Sequence, residues 1–148
     1  MSLEFEPTGP WDAVFTSEFL SNANFPIRVS TVGSSGPIVQ SLWFDFDGQS
    51  LWCATQTTSV LAKRLRLNNQ IGFDVAGDHA PYRGVRGTGT ASIHPELAEE
   101  VLRRLIVKYQ GDDETELSRW LLSRIDREIA IKITALRLAT WDFSGRMS

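Results

Sequence analysis

Short apolar runs separated by turn residues occupy the first half of the chain, and this pattern is typical of β-strands. Residues 25–32 alternate apolar and polar side chains, and the turn sequence GSSGP follows them. Residues 38–45 are apolar almost without alternation around Trp43, which predicts a strand covered on both faces. Asp47-Gly48 is a strong hairpin signal, so residues 51–56 are predicted to form the next strand.

Apolar side chains at helical spacing mark four further segments. In the second of them, Thr58 or Ser59 is the predicted N-cap. The fourth is expected to direct Leu117, Trp120 and Leu121 into the core. The four predicted helices cover residues 12–22, 57–69, 95–109 and 115–124.

The remaining apolar segments again have the character of strands. They cover residues 71–75, residues 82–93 and residues 128–134, and the last continues towards Trp141. Glycines at 84, 87 and 89 weaken the strand over residues 82–93, so they indicate the close approach of another backbone or of a flat ligand.

These elements predict a mainly β fold with peripheral helices. Six or seven short strands joined by tight turns favour a closed sheet, since closure removes exposed strand edges. The length of 148 residues fits a single domain over residues 1–148. Residues 1–11 are polar and contain two prolines, so we expect an extended arm there.

The composition is that of an ordinary globular protein, with 42% hydrophobic and 22% charged residues. A formal net charge of -3 argues against a nucleic-acid partner, which would need a concentrated basic face. Cys53 is the only cysteine, so a reducing compartment is expected. The sequence has no apolar run of membrane-spanning length and no signal-peptide pattern, so we expect a cytoplasmic protein without a membrane partner.

Several kinds of catalytic site are disfavoured by the residues present. His79, His94 and Cys53 have no spacing that a zinc site uses, so no metal site is expected. The chain has no G-x-S-x-G elbow, which disfavours a hydrolase. The glycines of residues 82–93 lie within a predicted strand and do not match the dinucleotide fingerprint.

A polar stretch over residues 55–59 leads into a predicted helix N-terminus, where free N–H groups and the helix dipole favour an anion. One interpretation is a phosphate site. The alternative is that Ser59 only caps the helix and the nearby cations are solvated. Those cations are Lys63, Arg64, Arg66, Arg83 and Arg86.

The order PIVQSLWFDFDG, LWCATQTTS, a basic helix ending in NN, and YRGVRGTGTA resembles the pyridoxamine 5′-phosphate oxidase-like family of FMN-binding split barrels. The resemblance covers residues 27–91 in motif detail, and the C-terminal TWDFSGRM is similar to the end of many small members. It implies a six-stranded antiparallel split β-barrel, a homodimer, and FMN bound in clefts between the subunits.

The resemblance also implies roles for individual residues. The isoalloxazine ring is expected to lie along the strand that contains Val39, Gln40, Ser41, Leu42 and Trp43, largely against its backbone groups. The ring or the ribityl chain is expected beside Ala54, Thr55 and Gln56, the phosphate at Ser59, and the dimer cleft at Trp141.

The sequence departs from the family pattern at two positions that are expected to bind the cofactor phosphate. Val60 and Leu61 stand where the family has a basic pair, so Lys63 and Arg64 are the nearest substitutes. Arg64 lies about 60° from Leu61 around the helix and is the better placed, with Arg83 as a supporting cation. This departure keeps a deazaflavin open as the alternative cofactor.

The resemblance does not extend to the motif that binds the substrate in true pyridoxamine phosphate oxidases. The chain has no histidine after His94, whereas true pyridoxamine phosphate oxidases grip their substrate with a basic, histidine-containing C-terminal motif. We therefore expect a flavin-dependent oxidoreductase that acts on an unidentified small molecule, without an identified catalytic side chain. The alternatives are a non-enzymatic flavin carrier or sensor, and a split barrel that binds a deazaflavin or another ligand.

Overall fold

The computed structural model describes residues 6–112 and 114–147. In this part of the chain, seven strands form one antiparallel sheet in the order β2-β1-β5-β6-β7-β4-β3. The strands are β1 Ile27–Thr31, β2 Ile38–Leu42, β3 Asp45–Phe46, β4 Leu51–Gln56, β5 Gln70–Ala76, β6 Arg83–His94 and β7 Glu128–Asp142. The α-helices are α1 Ala13–Asn22, α2 Val60–Leu67, α3 Ala98–Gln110, α4 Glu116–Leu122 and α5 Ser144–Met147, with short 3₁₀ turns at Pro95–Leu97 and Ile125–Arg127.

The expected split barrel is wrong in strand number, because the sheet of the described residues has seven strands instead of six, and the closed sheet that the strand pattern favoured is a half-barrel. The strand predicted over residues 38–45 is interrupted at Trp43 and Phe44, so it becomes β2 and β3. β2 pairs with β1 at one end of the sheet, and β3 pairs with β4 at the other end. Because two residues join the two ends, the sheet curls into a half-barrel with peripheral helices.

The main chain at Phe44 lies between the two ladders and is held by the last turns of α3. Its N–H donates to Tyr109 Oη at 3.3 Å, and its carbonyl accepts from Lys108 Nζ at 2.7 Å. Tyr109 Oη in turn donates to the carbonyl of Phe25 at 3.0 Å. Burial raises the pKa of Tyr109 to about 12, so the phenol keeps the proton that it donates.

Two apolar clusters pack against the sheet, on the two sides of β4. Cys53 belongs to the larger cluster, and burial raises the pKa of its thiol to about 12, which keeps it unreactive. Trp52 belongs to the smaller cluster, where it packs with Val101 and Leu105 of α3 and with Ala130. Neighbouring residues of β4 therefore belong to different clusters, because successive side chains of a strand point to opposite faces of the sheet.

The described part of the predicted N-terminal arm lies along β7. Thr8 N–H donates to the carbonyl of Leu138 at 3.0 Å, and Thr140 N–H donates to the carbonyl of Thr8 at 2.7 Å. Trp11 is buried, and its indole N–H donates to Asp142 at 2.9 Å. Residues 1–5 of the predicted arm lie outside the described residues.

The predicted helices are present with shorter bounds. Ser59 caps α2 as expected, with its hydroxyl accepting from Ala62 N–H at 3.0 Å. The prediction that α4 directs Leu117 and Trp120 into the core is wrong, because these side chains are 42% and 53% exposed. The helices of the described residues include none that is long and apolar enough to cross a membrane.

The glycines of β6 lie against the backbones of neighbouring strands. A Cβ at Gly84 would come within 2.6 Å of the carbonyl oxygen of Val75, and one at Gly89 within 2.8 Å of that of Thr134. Gly87 faces the carbonyl of Arg137 in the same way. Of the two interpretations of these glycines, close approach of another backbone accounts for them.

Arg64 of α2 is buried, and it ties α2 to the turn between β1 and β2. Its Nη1 donates to the carbonyls of Thr31 at 3.2 Å and Gly36 at 2.6 Å, and its Nη2 donates to Ser35 Oγ at 3.0 Å. Gly33 makes room for this guanidinium, since a Cβ there would lie 2.6 Å from Arg64 Cζ.

We predict that Arg64→Ala lowers the free energy of unfolding by roughly 2–3 kcal/mol, because it leaves carbonyls of the β1–β2 turn without donors. Lys63→Ala is the matched control on the same helix. Lys63 is exposed, so its removal should change the free energy by less than about 0.5 kcal/mol. Urea unfolding of both variants measures the difference, and equal effects would contradict the structural role of Arg64.

We also predict that Tyr109→Phe costs about 1–2 kcal/mol of stability, because Phe44 N–H then lies buried without its acceptor. Tyr82→Phe is the control, since the Tyr82 side chain is 44% exposed. Thermal or urea unfolding compares the two variants. A Tyr109→Phe protein as stable as the Tyr82→Phe protein would show that the phenol does not support the strand interruption.

Candidate functional site

The interruption at Trp43 and Phe44 opens a gap in the sheet. Within the described part of the chain, β3 pairs only with Leu51 and Trp52 of β4, so the second half of β4 extends beyond the end of β3. On the other side of the gap, β2 pairs with β1 and not with β4. A cavity of about 460 Å³ lies between the two diverging segments, a volume in the usual range for small-molecule sites.

Two kinds of wall line this cavity. The strand wall consists of Ser41, Leu42 and Trp43 from one side of the gap, and Ala54, Thr55 and Gln56 from the other. The helix wall consists of Leu102 and Leu105 of α3 with Leu117 and Leu121 of α4. Pro26, Arg124 and Glu128 complete the lining.

The strands at the gap also present main-chain groups. β2 is the end strand of the sheet, so one side of its main chain lies outside any ladder of the described residues. The second half of β4 is paired with β7 on one side and extends past β3 on the other. Such N–H and C=O groups are ready hydrogen-bond partners for a ligand with a polar edge.

Trp43 contributes an aromatic side chain to the cavity wall, and the ring of Tyr109 packs against the ring of Trp43. The two rings are stacked, with centroids 5.1 Å apart and planes inclined by 6°. Because Tyr109 also binds the main chain of Phe44, one side chain fixes both the strand interruption and the tryptophan beside it.

Gln56, Arg124 and Glu128 are polar side chains of the lining. Gln56 and Glu128 are directly opposite each other in the β4–β7 ladder. Burial raises the pKa of the Glu128 carboxyl, and the positive charge of Arg124 partly opposes that shift. The Arg124 guanidinium lies over the ring of Trp120, 4.6 Å from its centroid.

Sequence reasoning missed Arg124, Glu128 and the leucines of α3 and α4. No signal in the sequence places Glu128 opposite Gln56, because that depends on the pairing of distant strands. The leucines were recognisable as the apolar faces of helices, but an apolar face can line a core or a cavity equally well.

The other predicted residues near β2 and α2 lie outside this lining. Ser59 caps α2, Lys63 is exposed, and Arg64 is buried against the β1–β2 turn. Val39 is 66% exposed, and Gln40 pairs with Val29 of β1.

Arg83 and Trp141 are near the start of β6 and the end of β7. The Arg83 guanidinium lies 5.9 Å from the centroid of the Trp11 ring. Trp141 pairs with Gly84 and contacts Phe143, with ring centroids 5.5 Å apart. Within one chain, neither residue lines the cavity at the gap.

Another polar cluster lies where β6 leads into α3. His94 Nε2 is 2.8 Å from Ser92 Oγ, and His94 Nδ1 is 3.2 Å from Glu96 Oε1. This is the order of a nucleophile, a base and an orienting carboxylate, but Ser92 and Glu96 are exposed and line neither described cavity. Acyl transfer also needs an enclosed site with oxyanion donors. We therefore infer that these contacts have a structural role and stabilise the turn between β6 and α3.

The described residues contain no group of three or more metal-binding side chains. A smaller cavity of about 290 Å³ lies at the irregular pairing near Thr88 and Thr90, and none of the predicted site residues lines it. The cavity at the gap is therefore the candidate functional site.

No family model matches the sequence, and no curated protein matches it. Solved structures do match the fold. A conserved hypothetical protein from Mycobacterium tuberculosis is 23% identical with a TM-score of 0.74, and the match covers 96% of this chain and 90% of that one.

Two further structures carry functional names. An F420 reductase is 21% identical with a TM-score of 0.69, covering 82% of this chain and 94% of that one. A candidate pyridoxamine 5′-phosphate oxidase from Listeria innocua is 16% identical with a TM-score of 0.60, covering 84% and 93%. At these identities the comparisons concern the fold, and they confirm the expected resemblance: this chain has the split-barrel fold of the pyridoxamine 5′-phosphate oxidase-like proteins.

Proposed function

We propose that this protein binds the ring of a flavin-type cofactor in the cavity at the gap, and that it is an oxidoreductase acting on a small molecule. One observation carries the proposal. The family resemblance places Ser41 to Trp43 beside the ring and Ala54 to Gln56 beside the ring or the ribityl chain, and these two segments lie on opposite sides of the gap and line one cavity.

The cavity suits a flat ring that is apolar on its faces and polar along one edge. Leucines of α3 and α4 form an apolar wall, and Trp43 adds an aromatic surface. Main-chain groups outside the ladders and the polar side chains Gln56 and Glu128 supply hydrogen-bonding partners at the edges.

When bound, a flavin or deazaflavin supplies hydride or electron transfer, while the protein orients the ring and controls its surroundings. Here Leu102, Leu105, Leu117 and Leu121 would exclude water from one side of the ring. Tyr109 would hold Trp43 in position against it.

At the phosphate end, the structure favours Lys63 over Arg64 as the cation of the proposed site. Arg64 and Leu61 lie on the same face of α2. Leu61 is 1% exposed, so this face points into the protein and Arg64 points inward with it. Its guanidinium binds the β1–β2 turn instead. Arg66 donates to Thr57, whereas Lys63 is exposed and makes no side-chain hydrogen bond within the described residues.

This arrangement supports a deazaflavin as the second candidate cofactor. FMN would depend on Lys63 and on main-chain N–H groups where the family pattern has a basic pair. An F420 reductase shares the fold, and the ring site proposed here suits either ring. The absorption spectrum of the isolated protein distinguishes FMN from a deazaflavin.

A non-enzymatic flavin carrier is the second candidate function. It is favoured by the ionisable side chains at the cavity, which among the described lining residues are Arg124 and Glu128 alone. Anaerobic addition of a nicotinamide donor or a reduced deazaflavin to the loaded protein separates the two functions, because a carrier would leave its cofactor oxidised.

We further propose that the working form is a homodimer, as the family resemblance implies. β2 is an end strand whose residue Val39 is 66% exposed. Arg83 and Trp141 lie outside the cavity of their own chain, so they could serve a cofactor site only from a second copy.

We predict that Ser41→Phe raises the dissociation constant for riboflavin at least roughly tenfold, because the added ring occupies the cavity. Ser34→Phe, in the exposed β1–β2 turn, is the matched control and should bind as the unaltered protein does. Quenching of flavin fluorescence during titration measures both constants. The cavity assignment fails if the two variants bind riboflavin equally well, or if the unaltered protein binds no riboflavin, FMN or deazaflavin.

Light scattering is expected to give about twice the chain mass of 16.6 kDa. Val39→Asp should shift the protein towards the monomer, because it places a charge on the exposed edge strand. Val107→Asp, at a residue of α3 that is 53% exposed, is the control and should leave the mass unchanged. A monomer at micromolar concentration would rule out the proposed dimer.

A further inference from the structure

Three polar side chains of the cavity, Gln56, Arg124 and Glu128, lie close together in the fold. Gln56 and Glu128 are the terminal partners of the β4–β7 ladder, and side chains directly opposite each other in such a ladder have Cβ atoms about 4.5–5.5 Å apart. Arg124 precedes β7 by one 3₁₀ turn and acts electrostatically on Glu128. All three line the same cavity, whose helix wall is made of leucines.

The hydrogen-bonding capacity of this group is not used within the chain. Across residues 6–112 and 114–147, no group donates a hydrogen bond to the Glu128 carboxylate, and the Gln56 side-chain amide makes no hydrogen bond. Glu128 is partly buried, and burial raises the pKa of its carboxyl. A partly buried carboxylate that faces a cavity without a donor needs one from a ligand or from water.

The charges of the group restrict the ligand. Arg124 opposes a cation at Glu128, and Glu128 opposes an anion at Arg124. The part of a ligand bound here is therefore neutral. It must offer a donor to the carboxylate, which only accepts, and acceptors to the amide and guanidinium N–H groups, which donate; an N–H flanked by two carbonyl oxygens meets all three requirements.

We infer that Gln56, Glu128 and Arg124 recognise a cyclic imide edge, in which one ring N–H stands between two carbonyl oxygens. The inference rests on the proposed function, because the pyrimidine ring of flavins and deazaflavins carries this edge. It adds the orientation of the ring. The imide edge lies at Glu128, and the remaining rings extend along Trp43 and the leucine wall.

Each group of the imide then has a partner of the complementary kind. The N–H donates to Glu128, one carbonyl accepts from the Gln56 amide, and the other accepts from Arg124. Trp120 lies against the guanidinium of Arg124 and keeps it beside the cavity. The hydrogen bond to the carboxylate is charge-assisted, so it contributes most to the preference for an N–H at this position.

The test uses lumiflavin and 3-methyllumiflavin, which differ only in that a methyl group replaces the hydrogen of the imide nitrogen. The unaltered protein should bind lumiflavin at least roughly tenfold more tightly than the methylated analogue. In Glu128→Ala this ratio should fall to near one. Asp126→Ala removes an exposed carboxylate from the neighbouring 3₁₀ turn and should keep the original ratio.

Circular dichroism and thermal unfolding establish that the variants are folded. Gln56→Ala is the second variant, and it should weaken both analogues equally because the amide contacts a carbonyl that both possess. If the unaltered protein binds both analogues with equal affinity, the imide inference is overturned while the proposed ring site stands. A ratio that persists in Glu128→Ala also overturns it. Binding of neither analogue by the unaltered protein overturns the proposed function and the inference together.

Discussion

The hydrogen bonds of the Phe44 main chain are the constraint on which the rest of the structure depends. A strand that leaves one ladder before it joins another has backbone groups without sheet partners, and burying them unpaired would cost stability. Tyr109 and Lys108 supply those partners from the end of α3. The interruption can therefore be stable, and it opens the gap between β2 and β4 in which the cavity lies.

The same contacts connect the fold to the site. Tyr109 stacks on Trp43 while it binds Phe44, so the side chain that stabilises the interruption also positions the aromatic wall of the cavity. α3 contributes both that tyrosine and leucines of the opposite wall. A ligand in the cavity would thus be enclosed by the elements that allow the sheet to open.

Much of the fold could be predicted from the sequence, because local signals and packing agreed in most elements. The cap at Ser59 and the positions of most strands are examples. The interruption of residues 38–45 could not be predicted. The loss of alternation around Trp43 indicates that both faces are covered, but it does not reveal a change of pairing partner. Glu128 was missed because its place beside Gln56 depends on strand register.

The split-barrel fold does not determine the chemistry, since functions differ among proteins of one fold and reside in particular side chains. The central claim is that the gap between β2 and β4 holds the ring of a flavin-type cofactor. A crystal structure of the protein with saturating riboflavin tests it most directly. We predict ring density between the segment Ser41 to Trp43 and the segment Ala54 to Gln56. An empty cavity, or a ring bound elsewhere on the protein, would contradict the account.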